Sequence, residues 1–568
     1  MEFTSSLQKQ DEPKKEEEKV KETQKAEIDS SSEKKSLYFR ELKDLLYYTI
    51  PISISYFFLY LPLPATTAFA TQLNPNEERA IIITHEVFSL IVISFAYGII
   101  NTSNCLFAQA VGRGDQKALK TIFQRNVFVS FGLFLLIASP LMIVSQGIAA
   151  HIDELEIWPF SNLFTIILIP GSLGLVLYAN IMQFYQSQYK LALNIISTVT
   201  ANAVMFVVYY VFVIIFNHGI WSIAIGLSLC YILMPIIAII AGIIEGTIGE
   251  SNILVFDKEC LKDLGDYFRM SVSSMILITI TSIPFYTASV LAKGLSLVAE
   301  QTQSLMIRVM DFFHLVPEGL SSTATTQIAS HIGKRDSKAC RAATHVSLVL
   351  HFLLALIISA GIIVFHSYLF QLLSKKEEVL LESKLIYQYL LIPGVLFVCY
   401  NGGLAVLNSA SIFTIPAIIT SITVFCEMIP LAMTLTYRTS LDLSGYWIAL
   451  TIWTFTLCLY SIIYALSFRW DAICSLVSTE SLDLDILNWC PPNVLKMLGL
   501  LNGASEIQPS ATALSQEKQS SQSEKQNLVP PKEISNHHLR KIMYFLIAAA
   551  VTNVCAIIFR NVIFLVFN

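Results

Sequence analysis

Twelve apolar runs, each long enough to cross a lipid bilayer, restrict what this chain can fold into. A spanning helix needs roughly 20 apolar residues. Runs of that order lie near 45–72, 80–108, 121–148, 158–182, 190–216 and 220–246, and again near 266–292, 300–328, 344–373, 385–408, 412–437 and 446–468. In hydrocarbon every backbone polar group must be satisfied internally, and runs of this length do that as helices. Charged residues make up only 14% of the chain, against about 25% in soluble domains. Mean hydropathy is +0.61. The chain is predicted to be an all-α polytopic membrane protein.

The twelve runs divide into two equivalent sets of six. Ala108-Gln-Ala-Val-Gly-Arg-Gly-Asp-Gln-Lys-Ala118 is echoed by Ser330-His-Ile-Gly-Lys-Arg-Asp-Ser-Lys-Ala339, with Gly112 matching Gly333 (333 − 112 = 221). Pro170 matches Pro393 (393 − 170 = 223), and Trp221 matches Trp447 (447 − 221 = 226). Three unrelated motifs at nearly one offset indicate an internal duplication. Each copy holds an even number of spans, so both enter the membrane from the same side. The lobes are therefore expected to be parallel repeats related by an axis along the membrane normal.

Lysine and arginine set the orientation. Lys34, Lys35, Arg40 and Lys43 precede the first run; Arg113, Lys117, Lys120, Arg125, Lys190, Lys258, Lys262, Lys334, Arg335, Lys338 and Arg341 lie at even-numbered connections. The positive-inside rule then places the N-terminus in the cytoplasm. Residues 1–40 read as a disordered, mixed-charge cytoplasmic tail. Residues 41–250 form the N-lobe, 251–265 a cytoplasmic linker, 266–472 the C-lobe and 473–540 a low-complexity cytoplasmic linker. Residues 541–568 form a thirteenth span that places the C-terminus outside the cytoplasm. A plasma membrane or a vacuolar/lysosomal membrane is the expected location.

Several functions are unsupported. The ten cysteines are scattered without a C-x-x-C pair, so neither a disulfide framework nor a zinc site is indicated. G-x-S-x-G, Walker and H-E-x-x-H sequences are absent; no enzyme, cofactor, metal or nucleic-acid role is expected. No cleavable signal peptide is read, because the first forty residues are polar. Asn101-Thr102-Ser103 is formally a glycosylation sequon, but it lies within an apolar run.

Ionisable residues inside spans are costly and are candidates for function. At about 100° per residue, Glu300, Ser304, Arg308, Asp311, His314, Glu318, Ser322 and Thr325 share an arc of about 120° on the eighth helix. Such a stripe faces water or protein, not lipid. It reads either as a cavity wall whose Asp311 exchanges a proton or meets a cation, or as an Arg308–Asp311 pair that locks the helix. Glu427 stands in the middle of the eleventh run, and the repeat offset places its counterpart near Asn202. It reads as a coupling carboxylate, or as a neutral group bonded to a neighbour. Asn101, Asn104 and Gln109 form a polar set toward the end of the second helix, whereas Glu86 nearer its start reads as interfacial. Tyr178, Tyr185 and Tyr189, with Gln183 and Gln186, either stack on a flat cation or simply pack. The loops at Gly112 and Gly333 read as tight turns rather than phosphate cradles.

Over roughly residues 41–470 the chain resembles the multidrug and toxic compound extrusion (MATE) antiporters. The resemblance rests on Ala108-Gln109-Ala110-x-Gly112 leading to Gln124-Arg125, on Pro170 with Tyr178, and on Ala201-Asn202. In the second half it rests on Gln303-Ser304, Val316-Pro317-x-Gly319, Gly333-x-x-Asp336 and Gly445-x-Trp447. The tail and thirteenth span are similar to those of animal-type members. The resemblance implies two six-helix lobes about a central cleft, exporting organic cations or xenobiotics in exchange for protons or sodium ions; the oligomeric state stays open, a monomer being expected. It also marks departures: positions where eukaryotic members carry acidic residues hold Asn104, Ser282, Thr287 and Phe397, and no Asp lies between Leu45 and Gln72. Asp311, Glu318 and Glu427 are therefore expected to carry ion coupling. Arg308, His314, Asn104, Gln109, Asn202, Tyr178 and Gln183 are expected to line the cleft. Two other readings stay open at this point: a flippase for lipid-linked oligosaccharides, and a transport-dead receptor or scaffold.

Overall fold

A computed structural model describes residues 35–145, 157–251, 253, 257–262, 264–374 and 376–476. These build twelve long helices. They are α1 Lys35–Ala70, α2 Pro75–Arg113, α3 Gln116–Ser145, α4 Trp158–Ser187, α5 Leu191–Ile215 and α6 Ile220–Glu245, then α7 Leu264–Lys293, α8 Leu297–Gly333, α9 Ser337–Leu373 and α10 Glu377–Ser409, and α11 Thr414–Tyr437 and α12 Asp442–Leu466. Eleven of them are long and apolar enough to cross a membrane. The twelfth, α8, owes its lower apolar character to the polar stripe. Most of the N-terminal tail, the stretch beyond residue 476 and the thirteenth span lie outside the described residues. Lys35–Arg40, assigned to the tail by composition, are instead the first turns of α1.

The duplication is legible in the packing. In the first set α4 packs on α6, α2 on α4 and α3, and α5 on α6; in the second, α10 packs on α12, α8 on α10 and α9, and α11 on α12. Even the turns repeat. α3 and α9 are capped by Asp115 and Asp336, whose carboxylates accept from the backbone N–H of Ala118 at 2.9 Å and of Ala339 at 3.0 Å. A side-chain oxygen at this position satisfies an N–H that the helix itself cannot. The preceding residues that leave α2 and α8, Gly114 (φ 72°) and Arg335 (φ 60°), both take the left-handed conformation. These loops are thus helix-to-helix turns that end one span and start the next, as the sequence suggested.

Around the bundle runs a belt of exposed apolar side chains, among them Val207, Tyr210, Ile214, Ile240, Ile244, Ile357, Val364 and Phe365. A water-facing surface would not sustain that belt, whereas lipid does. Where the helices extend beyond the apolar runs, the added turns are polar. Hydropathy reports the hydrocarbon-embedded part of a helix; capping residues decide where the helix ends.

The two sets meet along α2, which packs on both α7 and α8. The approach is closest at glycines. A Cβ on Gly98 would stand 2.6 Å from the Met275 Cα of α7, and one on Gly112 would stand 2.2 Å from the Ser330 carbonyl oxygen of α8. α1 joins both sets and is interrupted at Leu61, where Pro62 begins its outer segment. That outer segment packs on α2, α5 and α6. The inner segment crosses to α8, where a Cβ on Gly319 would meet Ser53.

Candidate functional site

α8 is sealed at one end and open in its other half. Ser322 to Ser330 are buried without exception, whereas Ser304, Arg308, Asp311, Phe312, Leu315 and Val316 are exposed. The sealed half lies toward the end that carries the basic turns at Gly112 and Gly333. The seal is polar. Ser322 is its centre: its hydroxyl is 3.1 Å from Tyr56 Oη of α1 and accepts from Asn104 Nδ2 of α2 at 3.2 Å and from Gln186 Nε2 of α4 at 2.6 Å. Thr326 donates to Asn104 Oδ1 at 2.7 Å, and Gln183 Nε2 donates to Tyr56 Oη at 3.2 Å. Nearer the basic end, Gln109 Nε2 donates to the Ser409 carbonyl at 2.9 Å. There Glu41, fully buried on α1, accepts from Gln327 Nε2 and lies 2.9 Å from His331 Nε2. Tyr38 Oη completes the closure 2.9 Å from His345 Nδ1.

Beyond this seal the exposed side chains of α8 lie opposite α1 and α2 of the other set, and the crevice is the space between them. Asp311 and Glu318 lie within electrostatic reach of Tyr60 on α1, and Arg308 within reach of His85 on α2. Among the described residues, Arg308, Asp311 and Glu318 make no hydrogen bond or ion pair, including with one another. Arg308 and Asp311, one turn apart, attract each other electrostatically without closing to an ion pair within 4 Å. Aromatic rings flank these charges. Tyr60 and Tyr97 stack at 5.3 Å and 14° on the α1–α2 side. On the opposite side His314 stacks on Phe397 of α10 at 4.4 Å and meets Phe285 of α7 edge-on at 4.8 Å. The Nε2 atoms of His85 and His314 and the hydroxyl of Tyr97 are buried without a hydrogen-bond partner. No group of three or more metal-ligating side chains occurs among the described residues.

The sequence-derived candidates separate into four groups. Arg308, Asp311, His314 and Glu318 come together on the crevice-facing side of α8. Asn104, Gln109 and Gln183 lie in the seal rather than in an open cavity. Tyr178 and Asn202 lie inside the first lobe: Tyr178 Oη donates to the Asn194 carbonyl at 3.2 Å, and Asn202 Nδ2 donates to the Phe58 and Thr198 carbonyls, each at 2.8 Å. Each is occupied by a backbone acceptor within its own lobe. Glu427 stands apart. It falls in a π-helical turn of α11, Val424–Met428, accepts from Thr456 Oγ1 of α12 at 2.8 Å, and borders the exposed side chains of Phe425 and Phe455. α11 packs on α7 and α12, and this carboxylate does not join the α8 stripe.

Three crevice features were not read from sequence: His85, the Tyr60–Tyr97 stack, and the Phe285–His314–Phe397 cluster. An aromatic residue in an apolar run carries no signal of its own. His85 lies one residue before Glu86, in the part of α2 taken as interfacial.

Two segments of the chain, residues 51–211 and 278–434, match the MatE family model. The chain belongs to the MatE family. These segments cover most of α1–α5 and of α7–α11, so the family match repeats at the spacing of the internal duplication. Among relatives, human multidrug and toxin extrusion protein 1 is 21% identical over 451 residues, covering 77% of both chains. Multidrug and toxin extrusion protein 2 of Oryctolagus cuniculus is 20% identical over 441 residues, covering 76% of this chain and 72% of the relative. The eukaryotic MATE transporter AtDTX14 superposes with a TM-score of 0.72 at 18% identity, covering 78% of this chain and 98% of the other. A MatE-family chain with this belt of lipid-facing residues is a multi-pass membrane protein of a transporter family.

Proposed function

We propose that this MatE-family chain is a secondary transporter. It exports organic solutes that carry a cationic group, including xenobiotics, in exchange for protons, by rocking the two six-helix lobes about the crevice between α1, α2 and α8. One observation carries this reading: ionisable side chains without partners, held at mid-span on α8, face the other lobe across a gap sealed at one end. By the positive-inside rule, the basic turns support a cytoplasmic position for that sealed end and for the N-terminus. The crevice then opens to the far side of the membrane, the release state of an exporter.

Asp311 and Glu318 are the proposed coupling groups. A carboxylate at mid-span that no protein group pairs at contact distance binds either a proton or a cation, and competition between the two links their movements. Glu427 is less well placed for this role, since Thr456 already occupies its Oε1 at the α11–α12 boundary.

The reading is tested in proteoliposomes, with uptake of a fluorescent organic cation driven separately by proton and sodium gradients. Proton-driven uptake that disappears in Asp311→Asn and Glu318→Gln supports it. Sodium-driven uptake alone replaces the proposed ion, and absence of flux under either gradient overturns the transporter reading.

A further inference from the structure

Arg308 is a permanently charged guanidinium on the crevice wall, one turn from Asp311. Residues three apart on a helix have Cβ atoms about 5–6 Å apart. A plain cation held at Asp311 is therefore repelled by Arg308, and a plain anion held at Arg308 is repelled by Asp311. Both side chains are exposed, and although the two charges attract each other along the helix, neither has a hydrogen-bond partner or an ion pair within 4 Å among the described residues, so the donors of one and the oxygens of the other remain available. His85 of α2 lies within electrostatic reach of Arg308, and its buried Nε2 is itself without a partner. Such a pair of charges is satisfied together by a ligand that brings both signs.

We infer that the crevice takes a zwitterionic solute with an apolar or aromatic body, Arg308 holding its anionic group and Asp311 its cationic group. A guanidinium presents a planar fork of donors that suits a carboxylate or phosphate. The stacked Tyr60–Tyr97 pair and the His314–Phe397 pair supply flat apolar walls on either side. The short spacing of Arg308 and Asp311 requires the ligand's two charges to lie within a few bonds of each other. This assignment rests on the proposed transport role of the crevice but concerns recognition alone.

Equilibrium binding to the purified full-length protein, without any gradient, separates the two. The probes are a matched series: phenethylamine as cation, phenylalanine as zwitterion and 3-phenylpropionate as anion. Phenylalanine is expected to bind at least tenfold more tightly than either singly charged analogue. Arg308→Gln removes the advantage over phenethylamine, Arg308→Lys keeps most of it, and Asp311→Asn removes the advantage over phenylpropionate. Equal or tighter binding of phenethylamine by the unmodified protein, no binding of phenylalanine, or an unchanged ranking in Arg308→Gln overturns the assignment. Should the Arg308 variants not fold, the ranking shown by the unmodified protein decides. A preserved ranking without gradient-driven flux defeats the exchange mechanism but not this assignment; intact proton-driven flux with cations preferred defeats this assignment alone.

Discussion

Gly112 of α2 and Gly333 of α8, which occupy equivalent positions in the duplication, lie against each other where the lobes meet. A Cβ on Gly333 would stand 3.0 Å from the Gly112 Cα and 2.3 Å from the Gln109 carbonyl oxygen. Only a residue without a side chain fits on either side of that contact. Gly112→Val or Gly333→Val is expected to force the helices apart at the basic end. Overpacking of this kind costs about 1–3 kcal/mol, read as a lower Tm. The seal is expected to loosen as well, so that Cys105, retained as the sole cysteine, reacts faster with a permeant maleimide.

Glu41 anchors the first turns of α1 to α8 through Gln327 and His331. Glu41→Ala strands the buried Gln327 and the partly buried His331 and is expected to destabilise the closed seal by about 1–3 kcal/mol. The same Cys105 labelling assay reads the effect. Because Tyr38 and His345 lie alongside, Tyr38→Phe should produce a smaller change in the same direction; a larger one would place the main anchor there.

Arg125 fastens the segment between the lobes to α3. Its guanidinium donates to the Cys260 carbonyl at 3.2 Å and to the Glu259 carbonyl at 3.4 Å, and lies 4.8 Å from the centre of the Tyr267 ring. Replacement by Ala removes two charge-assisted bonds and a cation–π contact, an expected loss of about 2–4 kcal/mol. Limited proteolysis near residues 257–262 should accelerate, while equilibrium binding in the crevice changes by less than about threefold, since Arg125 does not reach it.

Glu427→Gln tests the separation of the α11 carboxylate from the α8 stripe. The amide retains an oxygen acceptor for Thr456, so stability should fall by no more than about 1 kcal/mol. Proton-driven flux is expected to stay within about twofold of the unmodified protein. A complete loss of gradient dependence would return coupling to α11.

The helices and their duplication were legible because both are written in spacing: run lengths give the spans, and recurring Gly, Pro and Asp residues give the offset. The stripe on α8 was legible for the same reason, since helical geometry alone brings Arg308, Asp311 and Glu318 onto one face. What a residue meets on another helix was not. Nothing local shows that Asn202 is bonded to the Phe58 carbonyl, that Thr456 reaches Glu427, or that Tyr60 stacks on Tyr97. Conversely, Gln303 and Trp447, read separately from sequence, turn out to be bonded at 3.1 Å, linking α8 to α12. The start of α1 read as tail because charged residues at a helix end resemble one; nothing local shows that Tyr38 lies 2.9 Å from His345 of α9.

The seal around Ser322 also bears on energetics. Parting the lobes breaks on the order of six hydrogen bonds between them, each contributing about 1 kcal/mol net. Without compensation, only about one molecule in 10⁴ would occupy the opposite state. A carrier that cycles must therefore form a comparable set of contacts at its other mouth, or gain the difference from a bound solute. The half of α8 away from the basic turns, where no hydrogen bond to the other lobe occurs among the described residues, is where those replacement contacts have to form.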